Sequence, residues 1–181
     1  WIGTYYGGVN YISPNTGQFE SFVHSRFSNS VNGTVIGRFC EDSNGDVWIA
    51  SDDGGLNRFS PKNRKFSHYL PLEGKNSLSY HNVHALCMDD DNLWIGTYTG
   101  GVNVLNLQTG TFKTYSAYQD NPASLDGTSS YAIFKDRKER IWVTSMSGVN
   151  LYNREKDNFT RIKDLDALTI DIDQDLSLIH I

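Results

Sequence analysis

An all-β chain of repeated four-stranded antiparallel sheets is the fold class the sequence predicts, and three observations predict it. Four tryptophans open nearly the same phrase: Trp1-Ile-Gly-Thr-Tyr-Tyr-Gly-Gly-Val-Asn10, Trp48-Ile-Ala-Ser-Asp-Asp-Gly-Gly-Leu-Asn57, Trp94-Ile-Gly-Thr-Tyr-Thr-Gly-Gly-Val-Asn103 and Trp142-Val-Thr-Ser-Met-Ser-Gly-Val-Asn150. Their steps of 47, 46 and 48 residues fall in the range of repeat architectures. Between the phrases lie short β-rich runs separated by Asn, Asp and Gly turns. No window of helix length carries a helical period, aromatic content is 13%, and there are four prolines, a composition suited to stacked sheets.

The first run of each repeat ends on an aspartate: Val35 to Asp42, Val83 to Asp89 and Tyr131 to Asp136. The turns Ser43 to Asp46, Asp90 to Asn92 and Arg137 to Arg140 follow, rich in residues that accept positive φ or cap their own backbone. The Trp run is second and ends at the Gly-Gly corner. Val102 to Leu107 shows the third run, and a turn at Gln108-Thr109-Gly110 leads to the fourth, Thr111 to Tyr115. Phe19, Phe66, Phe112 and Phe159 share one slot in that last run, and Phe22, Tyr69, Tyr115 and Ile162 share another three residues on. Four short strands joined by hairpin turns make a propeller blade. The Trp strand is expected second from the axis and the Phe strand outermost. The tryptophans are expected to pack between blades, a role in stacking on sugars being the alternative.

The phrase Asp-x-x-Gly-x-Val/Leu-Trp-Ile-Gly-Thr-x-x-Gly-Gly-Val/Leu-Asn, followed by a Thr-Gly-x-Phe turn, resembles the two-component regulator propeller repeat. Asn76-Ser77-Leu78-Ser79-Tyr80-His81-Asn82-Val83 resembles that family's inter-blade loop, and Pro122-Ala123-Ser124-Leu125 is a weaker copy. The resemblance runs from Trp1 to about Asp175. It implies about four blades of a larger, seven-bladed β-propeller. It further implies a ligand-sensing, periplasmic region of a hybrid two-component protein, reporting on an oligosaccharide to a histidine kinase and working as a homodimer. The kinase and the remaining blades would be its partners. The departures are local: repeat four has Ser147-Gly148 in place of the Gly pair, Ala50 replaces a Gly, and Asp89 to Trp94 is one residue shorter than Asp42 to Trp48.

On this register residues 1–175 form a partial propeller, with the first strand of a further blade at 168–175. An alternative closes four blades into a ring by pairing a strand near Ile170 beside Trp1. Leu176-Ser-Leu-Ile-His-Ile181 fits no repeat and is expected to be a non-native tail.

Composition bounds the partners. The formal charge is −5 and the basic residues are scattered, which argues against nucleic acid. No apolar run approaches the roughly 18 residues a membrane span needs, so no membrane contact is expected within the segment. Cys40 and Cys87 occupy equivalent slots, so their Cβ vectors should not converge; two buried free thiols are expected. Neither a metal nor another cofactor is expected: the histidines show no ligand spacing around these cysteines, and Asp42-x-Asn44-x-Asp46 lacks the rest of a calcium loop. An Asp-x-x-Gly-x-x-Trp phrase differs by one residue from the aspartate box of sialidases, and no Ser-His-Asp order is present. No catalytic residues are therefore assigned.

The corner loops after the Trp strands hold Tyr5, Tyr6, Asp52, Asp53, Tyr98, Thr99 and Met146. The inter-blade loops add Tyr80, His81, Asn82, Asp126 and Ser129. In a propeller both sets gather on one face around the axis. Tyr with Asp, Asn and His suits a sugar, because ring faces stack on aromatics while hydroxyls take polar partners. Tyr6, Asp52, Asp53, Tyr98 and His81 are the candidate ligand-binding residues. The alternative for Tyr5 and Tyr98 is that they are partly packed structural residues at corresponding loop positions. The rival classes are a secreted propeller lyase or glycosidase and a protein-binding scaffold.

Overall fold

The computed structural model describes residues 1–13, 16–26 and 29–162. The proposed strand at 168–175, the ring closure near Ile170 and the tail at 176–181 lie outside the described residues. Within them the chain forms strands and no helix. β1 (Ile2–Gly3), β2 (Val9–Ile12) and β3 (Phe19–Phe22) make a three-stranded sheet. β4 (Ile36–Glu41), β5 (Val47–Ser51), β6 (Gly55–Ser60) and β7 (Lys65–Tyr69) make the next. β8 (Val83–Asp89), β9 (Asn92–Thr97), β10 (Val102–Asn106) and β11 (Phe112–Tyr115) make the third. β12 (Ser130–Lys135), β13 (Ile141–Ser145), β14 (Val149–Asn153) and β15 (Asn158–Ile162) make the fourth. Every sheet is an antiparallel meander in chain order, with Trp second and Phe on the outer strand of the four-stranded sheets. Neighbouring sheets meet through their first strands, β4 on β8 and β8 on β12. The architecture is that of successive propeller blades.

Three apolar clusters fill the seams between sheets. Trp48, Ala50, Leu56, Leu78, Val83, Leu93 and Ile95 close the seam of the second and third blades. Trp94, Leu125, Ile141, Val143 and Phe159 do the same for the third and fourth. Trp48 and Trp94 thus face the following blade, whose Ile or Val residues face back. Burial of one such indole contributes about 4–6 kcal/mol at roughly 25 cal/mol per Å². The two aromatic slots of the outer strand knit the rims: Phe22 meets Phe66 at 5.6 Å, Tyr69 meets Phe112 at 6.2 Å, and Tyr115 meets Phe159 at 5.2 Å. Trp1 departs from the expectation. It packs on Tyr11, Phe22, Phe39 and Phe59 yet stays 37% exposed. Phe19 is also exposed; no described sheet packs on its face.

The aspartate turns are tied to the Trp strands. Asp42 Oδ1 accepts from the Asn44 and Asp46 amides at 2.9 and 3.1 Å, and its Oδ2 accepts from Trp48 Nε1 at 2.9 Å. Asp136 repeats this with the Lys138 and Arg140 amides and with Trp142 Nε1, each at 2.9 Å. In the third blade the missing residue breaks the pattern. Trp94 Nε1 is buried without a partner among the described residues, and Asp89 turns to the next blade, binding Arg154 through two nitrogens at 2.7 and 2.8 Å. Burial works to raise the Asp89 pKa, but the Arg154 and Lys135 charges win and hold it below the ordinary carboxylate range.

The phrase-ending asparagines have an equally specific job. Asn57, Asn103 and Asn150 are fully buried. Each accepts from an inter-blade amide, of Asn32 at 2.7 Å, Ser79 at 3.0 Å and Asp126 at 3.1 Å. These residues are 47 apart in the chain, so the clamp itself is a repeat feature. The loops carry a second clamp: the hydroxyls of Ser30, Ser77 and Ser124 each bond both the amide and the carbonyl of one residue, Ser25, Leu72 or Tyr118. Asn29-Ser30-Val31 is therefore a third copy of the inter-blade loop, missed in the sequence because it shares only two residues with Asn76-Ser77-Leu78. The second Gly of each corner, Gly8, Gly55 or Gly101, has φ between +73° and +75°. A Cβ there would strike the carbonyl of Phe22, Tyr69 or Tyr115, so the position excludes any side chain.

Cys40 and Cys87 are unbridged, as expected, but half-buried rather than buried. Both lie on a seam-facing side of an inner strand, Cys40 against the third blade and Cys87 against the fourth. Burial pushes the Cys87 thiol up to about 11.

Candidate functional site at the corner-loop face

The inner strands share one irregularity. A β-bulge interrupts β4 between Ile36 and Arg38, β8 between Val83 and Ala85, and β12 between Ser130 and Ala132. The residues out of register are Gly37, His84 and Tyr131. Each lies at the end of its inner strand beside a corner loop, since Ile36, Val83 and Ser130 pair with Ser51, Thr97 and Ser145. A bulge re-aims a side chain that a regular ladder would bury against the neighbouring sheet. Here it gives three blades a variable residue at one position around the axis.

His84 uses that position to cross a seam. Its Nε2 lies 2.7 Å from Asp52 Oδ1, in the corner loop of the preceding blade. Asn82 Nδ2 donates to the same oxygen at 3.3 Å. An ionised carboxylate only accepts, so the His84 proton sits on Nε2. The Tyr131 ring stacks on the imidazole, with centroids 5.4 Å apart and 21° between planes. Tyr98 approaches the same ring at 5.8 Å and 51°. Three blades therefore contribute to one cluster: Asp52, then Asn82, His84 and Tyr98, then Tyr131. Asp52 Oδ2 has no hydrogen-bond partner in the described chain, and the Asp52 side chain is 44% exposed. Tyr98 and Tyr131 remain 43% and 39% exposed.

Of the five residues singled out in the sequence, Asp52 and Tyr98 belong to this cluster. Tyr6 sits on the adjoining loop of the first blade, 74% exposed, with φ of 70° and its ring edge-on to Tyr5 at 4.6 Å. Tyr5 lies close to the cluster. Its phenol is raised above the ordinary range, chiefly by Tyr6, then by slight burial, with a last contribution from the Asp52 charge. His81 is exposed and stacks on Tyr80 at 4.7 Å, one residue before the loop turns inward to Asn82. Asp53 points the other way. Its oxygens accept from the amides of Thr34 and Val35 and from the hydroxyls of Thr34 and Ser51. Burial works to raise its pKa, but those donors win and hold it down at about 2. Asp53 braces the inter-blade loop. Tyr5 is 73% exposed and in ring contact with Tyr6, while Tyr98 is 43% exposed and packs in part on His84.

His84 and Tyr131 are the cluster members the sequence reading missed. Alternation along β8 and β12 assigns each residue to a sheet face, and a bulge breaks alternation. The available signal was the variability of the slot, Gly37, His84 and Tyr131, inside otherwise similar strands.

Blades of antiparallel strands meeting at their inner edges, with a polar and aromatic cluster at the corner-loop face, define a segment of a β-propeller. Residues 30–53 and 77–99 match the family model described as two component regulator propeller. Two crystal structures of the extracellular domain of one B. thetaiotaomicron protein, described as a hybrid two component and as a one component system, are similar. Identities are 20% and 21% and TM-scores 0.72 and 0.69, over 87% and 86% of this chain. The match covers 22% and 23% of those domains, so the chain spans less than a quarter of their length. Virginiamycin B lyase from Staphylococcus aureus is similar at 16% identity and a TM-score of 0.60, over 90% of this chain and 51% of the lyase. At such identities the likeness is one of fold. No curated protein matches the sequence.

Proposed function

We propose that this chain is part of a periplasmic ligand-sensing propeller of a hybrid two-component protein, and that its corner-loop face binds an oligosaccharide. The observation that carries the reading is the Asp52–His84 contact across a blade seam, flanked by the exposed rings of Tyr98 and Tyr131, in a chain that matches the two component regulator propeller model over residues 30–53 and 77–99. Hydroxyls of a sugar donate to Asp52, and its apolar ring face lies on tyrosine. Because the site joins residues of three blades, ligand binding alters how those blades pack. The parent, a homodimer in this reading, passes that change to its histidine kinase.

The test is calorimetry on the complete sensor domain with candidate oligosaccharides. Tyr98→Ala and Asp52→Ala should each weaken binding about tenfold or more, roughly 1.4 kcal/mol per decade, without lowering the melting temperature. Unchanged affinity in both variants places the ligand elsewhere. A catalytic second reading rests on the same pair, since a carboxylate-oriented imidazole is the arrangement of a general base. Chromatography of the ligand after incubation separates the two: a sensor returns it intact, a lyase or glycosidase does not.

A further inference from the structure

The cluster has a charge pattern that goes beyond its ability to hold a sugar. Asp52 Oδ1 is occupied by His84 and Asn82, while Oδ2 stands open beside exposed tyrosine rings. A carboxylate accepts and cannot donate, so whatever meets it must bring a donor. The carboxylate of Asp53 is one residue away and ionised through the neutral range. Asp126 lies in the following inter-blade loop, where its Oδ1 accepts from Asn150 Nδ2 at 2.7 Å. Cations do not offset these acids evenly. Lys135 is at the far end of β12, engaged with Asp89 and Glu139. Arg38, exposed on β4, is the cation of the inner strands with no carboxylate partner among the described residues. Two buried polar atoms of the third and fourth blades also lack partners among the described residues. They are His84 Nδ1 and Ser130 Oγ, the latter beside Gly96, where a Cβ would come within 2.8 Å of it.

Resting on the reading of this face as a sugar site, we infer that it selects uncharged glycans and rejects those bearing uronate or sulfate groups, with Asp52 as the specificity-determining residue. Aromatic faces serve neutral and acidic sugars alike, so the discrimination comes from the acceptor. A hydroxyl gives Asp52 Oδ2 the donor it lacks. A carboxylate or sulfate in that place brings a second anion with no proton to share, and at contact distance in partly exposed surroundings the repulsion is worth about a tenfold loss or more. The tyrosines set where the ring lies, and His84 is a positioning residue, holding the carboxylate across the seam.

The experiment is calorimetry on the complete sensor domain with pairs of probes of matched linkage that differ only in the group at C6: α-1,4-linked galactotetraose against α-1,4-linked galacturonotetraose, and cellotetraose against its 6-sulfated form. The neutral member of whichever pair binds should be favoured by about tenfold or more. Asp52→Asn keeps an oxygen for His84 and so should keep the melting temperature, while narrowing the preference about tenfold; Arg38→Gln should leave the preference in place. Equal or tighter binding of the acidic member, or a preference that survives Asp52→Asn, overturns the inference and leaves the sugar-site reading standing. An acidic preference lost in Arg38→Gln assigns the selectivity to that cation instead. Absence of binding by every probe counts against the sugar-site reading itself, and the inference falls with it.

Discussion

Removing the Asp42 side chain tests the physical account of the repeat. Its carboxylate accepts two turn amides and the Trp48 indole N–H, and the residue is 6% exposed. Asp42→Ala strands all three donors. The Asn44 amide lies in the exposed part of the turn and can recover water, whereas the Asp46 amide is buried and Trp48 Nε1 is walled in by the seam. A stranded buried donor costs about 1–3 kcal/mol, and bonds to a charged acceptor are worth about 1.5–3 kcal/mol each. The loss should therefore be about 2–4 kcal/mol, read as a shift in urea midpoint at constant slope. The third blade supplies an internal control. Trp94 has no partner for its indole N–H among the described residues, so Trp94→Phe forfeits packing alone and should cost about 1 kcal/mol less than Trp48→Phe. In a cycle, Asp42→Ala and Trp48→Phe should couple by about 1 kcal/mol or more. A loss below about 1 kcal/mol for Asp42→Ala, or equal costs for the two Trp→Phe changes, would refute the reasoning.

Two further outcomes follow from titrating groups. Asp53 and Asp157 are held down at about 2, Asp53 against burial by its amide and hydroxyl donors, Asp157 first by Lys113 and then by Tyr115; Asp89 and Asp136 are also lowered. Unfolded aspartate titrates near 3.9, so on acidification the unfolded chain takes up protons first. The stability these groups give is complete above about pH 4 and lost as pH falls toward about 2; a urea midpoint that holds or rises over that interval contradicts the assignment. Cys40 and Cys87 should both titrate as free thiols in denaturant without reductant, and in the native chain Cys87 should alkylate about a hundredfold more slowly than an ordinary thiol at pH 8, since burial depletes its thiolate. Finding fewer than two thiols, or native alkylation at the ordinary rate, argues against the seam placement.

The sequence by itself determined the blades. The Trp period, the turn residues and the outer-strand aromatics recur because each blade must solve the same local problem, turning tightly and covering both sheet faces, and like solutions leave like residues. The Gly-Gly corner and the aspartate that ends each first run were legible for that reason, as was Asn76 to Val83 as an inter-blade loop. The shortened turn at Asp89 was visible as a missing residue, but its consequence, an orphaned Trp94 indole and an ion pair to Arg154, needed the neighbouring blade. The candidate site was legible in part. Corner loops can be placed from the period alone, which brought Asp52 and Tyr98 into view. Only the tertiary structure decided that Asp53 turns to the amides of Thr34 and Val35 to brace a loop while Asp52 meets His84. The same holds for the bulges that put His84 and Tyr131 beside it, because a contact across a seam joins residues 32 apart in the chain and no local periodicity encodes the direction in which a bulge aims its side chain.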